Sequence, residues 1–302
     1  MTEAKDDAFA DVFLRAMPVV FVLIWSTGFI VARYGMPLSP PLKFLATRYA
    51  LSILCFLPWI MLAKVPWPRG RAQWRHLAVT GILMHACYLG GVWAAVKADM
   101  GSGLAALIVG LQPVLTALWL SSTGSEVSRR QWLGLLFGLT GLVMVVSHKF
   151  GSGGEAHWQN MLMAIGALLG ITVGTLYQKR FVAPCDVRTA NVVQLGAALL
   201  VTLPLTLLEP EPMQWNTQLA SAMAWSVLAL TLGGSSLLYL LIQSGAAASV
   251  TSLMYLVPPC TALLAWLLFA EPISSITIAG TLITALGVSL VVRAAKPANL
   301  VR

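Results

Sequence analysis

The chain has 302 residues, 58% of them hydrophobic and only 10% charged, with a formal net charge of +8 and a mean hydropathy of +0.81. A soluble domain needs roughly 25% charged residues to wet its surface, so the main solvent of this chain must be lipid. The basic balance does not signify nucleic acid. No Lys/Arg cluster is interleaved with aromatics as a nucleic-acid groove requires, and the cytoplasmic loops of membrane proteins collect Lys and Arg in any case.

The first residues, MTEAKDDAFADV, are polar and partly acidic. They lack the basic start and small-residue cleavage site of a secretory signal, so the first apolar segment is expected to stay as a membrane span. A hydrocarbon core of roughly 30 Å takes about 20 helical residues to cross. Runs of that kind predict ten helices, over 17–35, 44–63, 77–97, 103–122, 131–148, 160–178, 191–208, 222–243, 249–269 and 275–293. Only Asp99–Ser102 parts the third from the fourth, and Gly245–Ala248 the eighth from the ninth, so nine spans is the alternative.

Basic residues are shared unevenly between the two sides of these spans. With a cytoplasmic amino terminus, the inner side receives 14 Lys and Arg, and the outer side five: Arg33, Lys43, Arg48, Lys97 and Lys149. Positive loops stay inside, so both termini are expected in the cytoplasm. Cys55, Cys87, Cys185 and Cys260 show no CxxC spacing. Neither a disulfide framework nor a metal site is indicated, the four read as small apolar residues, and no cofactor is expected.

The sequence repeats itself. LQPVLTALWLSSTGSE (111–126) and LVPPCTALLAWLLFAE (256–271) agree at six of sixteen positions. Downstream, Gly134 aligns with Gly280 and Gly141 with Gly287; upstream, an offset of 146 pairs Gly28 with Gly174, Arg33 with Lys179 and Pro58 with Pro204. Spans one to five therefore recur as six to ten. Five is odd, so the second copy enters the membrane from the opposite side. Inverted halves related by a pseudo-two-fold axis in the membrane plane are a recurrent transporter architecture, with the substrate site at their interface. The expected fold is an all-α integral membrane protein, ten transmembrane helices arranged as two inverted five-helix repeats around a central cavity. Its parts are a cytoplasmic tail over 1–16, the first repeat over 17–148, a Gly-rich outer linker over 149–160, the second repeat over 161–293 and a cytoplasmic tail over 294–302.

Several stretches resemble a known family: WSTGFIVAR at Trp25–Arg33, the Arg48-Tyr49 pair, SGLAALIVGLQPVLTALWL followed by Glu126 and QWLGLLFGLTG, and Pro258, Glu271 and Gly280 in the second copy. Together they resemble the EamA-type branch of the drug/metabolite transporter superfamily, over nearly the whole chain. The resemblance implies ten helices in two inverted halves around a central cavity, in a bacterial inner membrane with the 149–160 linker periplasmic. It also implies export of amino acids and related metabolites. One departure stands out: the family often ends span four with Gly-Glu, whereas here Ser125 precedes Glu126.

Ionisable groups inside spans are functional candidates by default. No Asp or Glu falls near the middle of a predicted span; Asp99, Glu126, Asp186 and Glu271 sit at ends or in loops, which argues against a mid-membrane carboxylate relay. His85, central in span three, titrates near neutral pH and could shuttle protons; otherwise it is a buried polar residue bonded to a neighbouring helix. Arg48, near the start of span two, could grip a substrate carboxylate through two parallel hydrogen bonds. The alternatives are that it snorkels to the outer headgroups or partners a helix end. Its repeat counterpart is Gln194, polar but uncharged.

Further polar and aromatic candidates for a substrate pathway are Trp25, Ser26, Thr27, Tyr88, Trp93, Gln112, Thr175, Tyr177, Gln178, Tyr239, Gln243 and Tyr255. Lipid-facing surfaces need few amides or hydroxyls, so several should face a cavity with apolar walls and a few oriented donors. The alternative for Tyr and Trp near span ends is an interfacial belt, which suits Trp67, Trp74, Trp158 and Trp215. Pro113 and Pro258, at matching places in spans four and nine, are expected hinges or fixed kinks. Glu126 and Glu271 end those spans on opposite sides, as gate or coupling groups alongside His85, or as solvated loop charges. Glu126 is also close enough in sequence to Arg129 and Arg130 for an ion pair.

These features point to an exporter of small metabolites, amino acids above all, working by alternating access and not an enzyme. A lipid-linked translocator of the same fold would need a mid-span basic cluster. An integral membrane enzyme would need catalytic groups converging at one depth, and one histidine without a carboxylate does not supply them. The expected partners are a small-molecule substrate and membrane lipid, with no nucleic acid; the working unit is a monomer or homodimer.

Overall fold

The computed structural model of the chain describes residues 20–122, 128–151, 156–243, 256–271 and 273–294. Among them, every regular element is helical. Seven helices are long and apolar enough to cross a membrane, and three shorter apolar ones accompany them. In chain order they are α1 (Val20–Gly35), α2 (Pro41–Leu62), α3 (Arg71–Lys97), α4 (102–122), α5 (Arg129–Gly151), α6 (Trp158–Phe181), α7 (Val187–Leu208), α8 (217–243), α9 (Val257–Phe269) and α10 (Ser275–Ala294). The predicted spans overlap these helices within the described residues, while 17–19 of the first and 249–255 of the ninth lie outside them. Pro41 at the first turn starts α2 earlier than expected, since proline pre-sets φ and its missing N–H is not needed there. Gly70, in the left-handed region at φ 84, ends the preceding loop and lets α3 begin at Arg71. The outward surface is itself apolar: Leu54, Leu62 and Leu200 are exposed by 61%, 86% and 77%, as a lipid-facing surface requires.

Helices pack against their repeat counterparts: α2 on α7, α4 on α9, α5 on α10. The α5–α10 pair is the most extensive and runs along glycines. A Cβ at Gly141 would strike the Gly280 carbonyl and the Thr284 side chain, and one at Gly287 would strike Gly138 and Gly134. Gly134, Gly141, Gly280 and Gly287 are among the glycines that align the two repeats. Small residues let two backbones approach closely where lipid supplies no hydrophobic drive between helices.

Two helices leave the α register at equivalent places. α3 is a π-helix over Ile82–Cys87 and α8 over Ser226–Ser235. In α8 the hydroxyls of Thr231 and Ser235 donate to the carbonyls of Ser226 (2.9 Å) and Leu230 (3.3 Å), five residues back, the spacing the wider turn brings together. In α3 the loosened turn lets the His85 carbonyl accept from the Tyr49 hydroxyl at 2.8 Å. α4 breaks at Gly110–Leu111, just ahead of Pro113, which cannot donate a helical hydrogen bond.

At one end of the helices, carboxylates from the second half tie down the first. Glu209 accepts from the N–H groups of Leu42 and Lys43 at 2.9 Å each, capping α2. Glu211 takes the Lys97 ammonium at 2.9 Å. Glu271 accepts from Ser102 N–H (3.2 Å) and Oγ (2.9 Å), capping α4, with Arg33 Nε 3.9 Å away. Ala270, left-handed at φ 52, closes α9 just before it. Glu271 is therefore not a solvated loop charge: it is buried, because the exposed amides of a helix N-terminus attract a carboxylate. At the opposite end, the Gln73 side chain exchanges hydrogen bonds of 2.7 and 3.1 Å with the Ala183 backbone.

Candidate functional site

A cavity of about 650 Å³ lies between α1, α2, α3, α6, α7 and α8, and so draws on both halves. Trp25, Gly28 and Phe29 of α1 form one side. Met84, His85, Tyr88, Leu89, Val92 and Trp93 of α3 face Leu230, Ser235, Leu238 and Tyr239 of α8; Arg48, Gln178 and Gln194 come from α2, α6 and α7. The α3 and α8 walls use the same positions of the repeat. Met84/Leu230, Leu89/Ser235, Val92/Leu238 and Trp93/Tyr239 are each 146 residues apart.

Arg48 is 3% exposed, and its Nε donates to Thr231 Oγ1 at 2.9 Å. Among the described residues it has no ion pair. Because α2 begins at Pro41, Arg48 stands about 10 Å along the helix at 1.5 Å per residue, with its side chain bonded inward to α8. It neither snorkels nor serves a helix end. Its repeat counterpart Gln194 lines the cavity with His85 and donates to Gln178 Oε1 at 3.4 Å. Gln178 Nε2 is buried with no hydrogen-bond partner, which is costly in a low-dielectric site. The rings of Trp25 and Tyr88 stack, centroids 6.2 Å apart. Trp93 stacks on Phe44 at 4.3 Å, both fully buried, closing the cavity toward the end that the three glutamates tie.

The structure thus gathers Trp25, Arg48, His85, Tyr88, Trp93, Gln178, Gln194 and Tyr239 around one space. It places the other candidates elsewhere. Ser26, Thr27 and Thr175 turn their hydroxyls to the carbonyls of Val22, Ile24 and Ile171 on their own helices. Gln112 donates to Thr175 Oγ1 at 3.1 Å and lines a smaller space of about 250 Å³ with Pro113, which adjoins the main cavity at Trp25 and Phe29. Tyr177 pairs with His76 Nδ1 at 2.8 Å, near the start of α3. Pro258 is buried with its ring against Gly110, where a Cβ would lie 2.7 Å from Cγ. Glu126, Tyr255 and the Gln243 side chain lie outside the described residues. Trp67, Trp74, Trp158 and Trp215 are exposed. Sequence reasoning missed the apolar wall: Phe29, Met84, Val92, Leu230 and Leu238 carry no polar signal.

Among the described residues, no group of three or more His, Cys, Asp or Glu could hold a metal. A solved crystal structure shares the fold, with a TM-score of 0.66 over 92% of this chain and 97% of the other, at 19% identity. Among sequence relatives, the inner membrane transporter YedA of Escherichia coli is 27% identical over 257 residues, 84% of this chain and 82% of YedA. The transporter YvbV of Bacillus subtilis is 24% identical, covering 89% of this chain and 88% of YvbV. A probable amino-acid metabolite efflux pump of Salmonella typhimurium is 21% identical over 63% of this chain and 62% of the pump. The EamA-like transporter family matches twice, over residues 16–147 and 158–293. The chain belongs to the EamA-like transporter family. The resemblance read from its motifs holds over both halves, and the protein is a multi-pass membrane transporter. In this EamA-like protein the cavity lies between helices of the two matched stretches.

Proposed function

We propose that the protein exports small metabolites, amino acids or related compounds, across a bacterial inner membrane. It does so by alternating access between two inverted repeats, ten spans in all, with both termini cytoplasmic. The observation that carries this reading is the cavity wall: the same face of the third helix in each half, Met84 to Trp93 and Leu230 to Tyr239, encloses one space. A two-fold relation makes two alternative closures equivalent, because each half can take the conformation of the other. The similarity to the probable amino-acid metabolite efflux pump of Salmonella typhimurium supports the substrate class.

On this reading the end tied by Glu209, Glu211 and Glu271 is periplasmic, and Phe44–Trp93 closes the cavity on that side. Glu271 is the periplasmic tie that must release, with Glu126 its cytoplasmic counterpart. The break before Pro113 and the Gly110–Pro258 contact are where the halves bend. His85, inside the cavity, is the coupling group for protons. A lipid-linked translocator gains no support, since among the described residues Arg48 is the only Lys or Arg on the cavity wall.

The test is counterflow of a labelled amino-acid panel into proteoliposomes, with and without an imposed pH gradient. Saturable exchange of one or more amino acids is expected. No exchange by any of them, in protein whose fold is intact, contradicts the substrate class.

A further inference from the structure

We propose that the cavity takes its substrate as an organic anion: a carboxylate bound by Arg48, an aromatic or apolar body against Trp25 and Tyr88, and a second acceptor reaching Gln178. This rests on the cavity being the substrate site. A guanidinium does not shed its charge in a protein, and a charge in a low-dielectric interior costs several kcal/mol unless it is paired. Arg48 is buried at the cavity wall, yet among the described residues it makes one hydrogen bond, to the neutral hydroxyl of Thr231, and no ion pair. Its remaining donors are left for an anion that the protein does not supply.

The charge is not demanded by the packing of the repeat. The same position in the other half is Gln194, and the residue facing Arg48, Thr231, has His85 as its own counterpart. Each second helix brings a polar side chain to the cavity, and only one of the two is cationic. That asymmetry is what a ligand with one charged end would select.

Gln178 is the second, independent sign. Its Nε2 donor is buried and unpaired, and the residue belongs to the cavity wall on α6, in the other half from Arg48. An acceptor on the ligand would satisfy it. Among the described residues no Asp or Glu lines the cavity, so an ammonium group would find no opposite charge among them. The favoured class is therefore a monocarboxylate whose amine is absent or capped, such as an N-acylated amino acid, whose acyl carbonyl supplies the second acceptor. A free amino acid keeps the carboxylate contact but adds an unpaired ammonium, and an amine lacks the contact altogether.

The experiment is calorimetry on the purified full chain in detergent with four matched probes: N-acetylphenylalanine, its carboxamide, phenylalanine and phenethylamine. The acid should bind about tenfold or more tightly than the carboxamide, as loss of a charge-assisted hydrogen bond implies. Phenylalanine should fall below the acid, and phenethylamine should not bind. Arg48→Gln should make acid and carboxamide equal, while Gln178→Leu should weaken both alike. Equal binding of acid and carboxamide to the wild type, preference for the amine, or no binding of any probe overturns the proposal. If Arg48→Gln fails to fold, the wild-type ratio of acid to carboxamide decides alone. Counterflow of the same probes separates the two claims. Arg48-dependent binding without counterflow keeps the anion site and removes transport. Counterflow of the carboxamide as fast as the acid, unchanged in Arg48→Gln, keeps transport and removes the anion site.

Discussion

Arg48 Nε donates to Thr231 Oγ1 at 2.9 Å, and the residues one repeat away from these two, Gln194 and His85, line the same cavity. The second helix of each half packs on the third helix of the other, beside the cavity that both enclose. The π-turns place these residues: His85 lies within Ile82–Cys87 and Thr231 within Ser226–Ser235. Such turns recur at functional sites because they swing side chains off the regular helical face.

Replacing Thr231 by Val keeps the shape and removes the one hydrogen bond that Arg48 makes among the described residues. Hydrogen bonds to charged groups contribute about 1.5–3 kcal/mol, so the thermal midpoint in detergent should fall by several degrees. An unchanged midpoint would show that the Arg48–Thr231 contact adds nothing to stability.

Glu271→Ala removes the carboxylate that accepts from Ser102 N–H and Oγ. Loss of a helix cap costs about 1 kcal/mol, up to about 2, and a fall of that order in unfolding free energy is expected. Glu271→Gln should recover most of it, because an amide oxygen still accepts. Equal loss in both variants would place the effect in the charge and the Arg33 contact, not in the cap.

The α5–α10 seam allows a sharper comparison. Gly141→Ala drives a methyl into Gly280 and Thr284 and should destabilise by about 1–3 kcal/mol. Gly166, in α6, has nothing within 4 Å of a Cβ. Gly166→Ala should stabilise by about 0.5–1 kcal/mol, since alanine loses less backbone freedom in a helix. Paired melting curves of the two variants check both signs at once.

His85→Ala should flatten the response of transport to an imposed proton gradient in proteoliposomes while leaving gradient-free exchange measurable. Wild type and variant responding identically would remove His85 from coupling.

Much of this was legible in the sequence, and the reasons are specific. Four of the glycines that aligned the repeats, Gly134, Gly141, Gly280 and Gly287, lie where α5 and α10 pack, since a position that must lack a side chain leaves a mark in both copies. Arg48, His85, Gln178 and Gln194, candidates because lipid gives such groups no partner, lie on one cavity wall, whereas the amide Gln112 lines the smaller space beside it. Hydroxyls misled: Ser26, Thr27 and Thr175 satisfy themselves on carbonyls three or four residues back, so a hydroxyl in a span does not require a cavity. The depth of Arg48 depended on where α2 starts. The π-turns left no composition signal, because they arise from packing, and Val92 and Leu238 look like any lipid-facing residue until the fold shows which way they turn.

The central claim is that this cavity opens in turn to each side of the membrane. Its most direct test is Ser235→Cys in a chain whose four native cysteines have been replaced, reconstituted in liposomes of known orientation and exposed to an impermeant maleimide from one side at a time. Labelling from both sides, at rates that shift in opposite directions when substrate is added, is the expected result. Labelling from one side only, with or without substrate, would contradict alternating access through the space between the two halves.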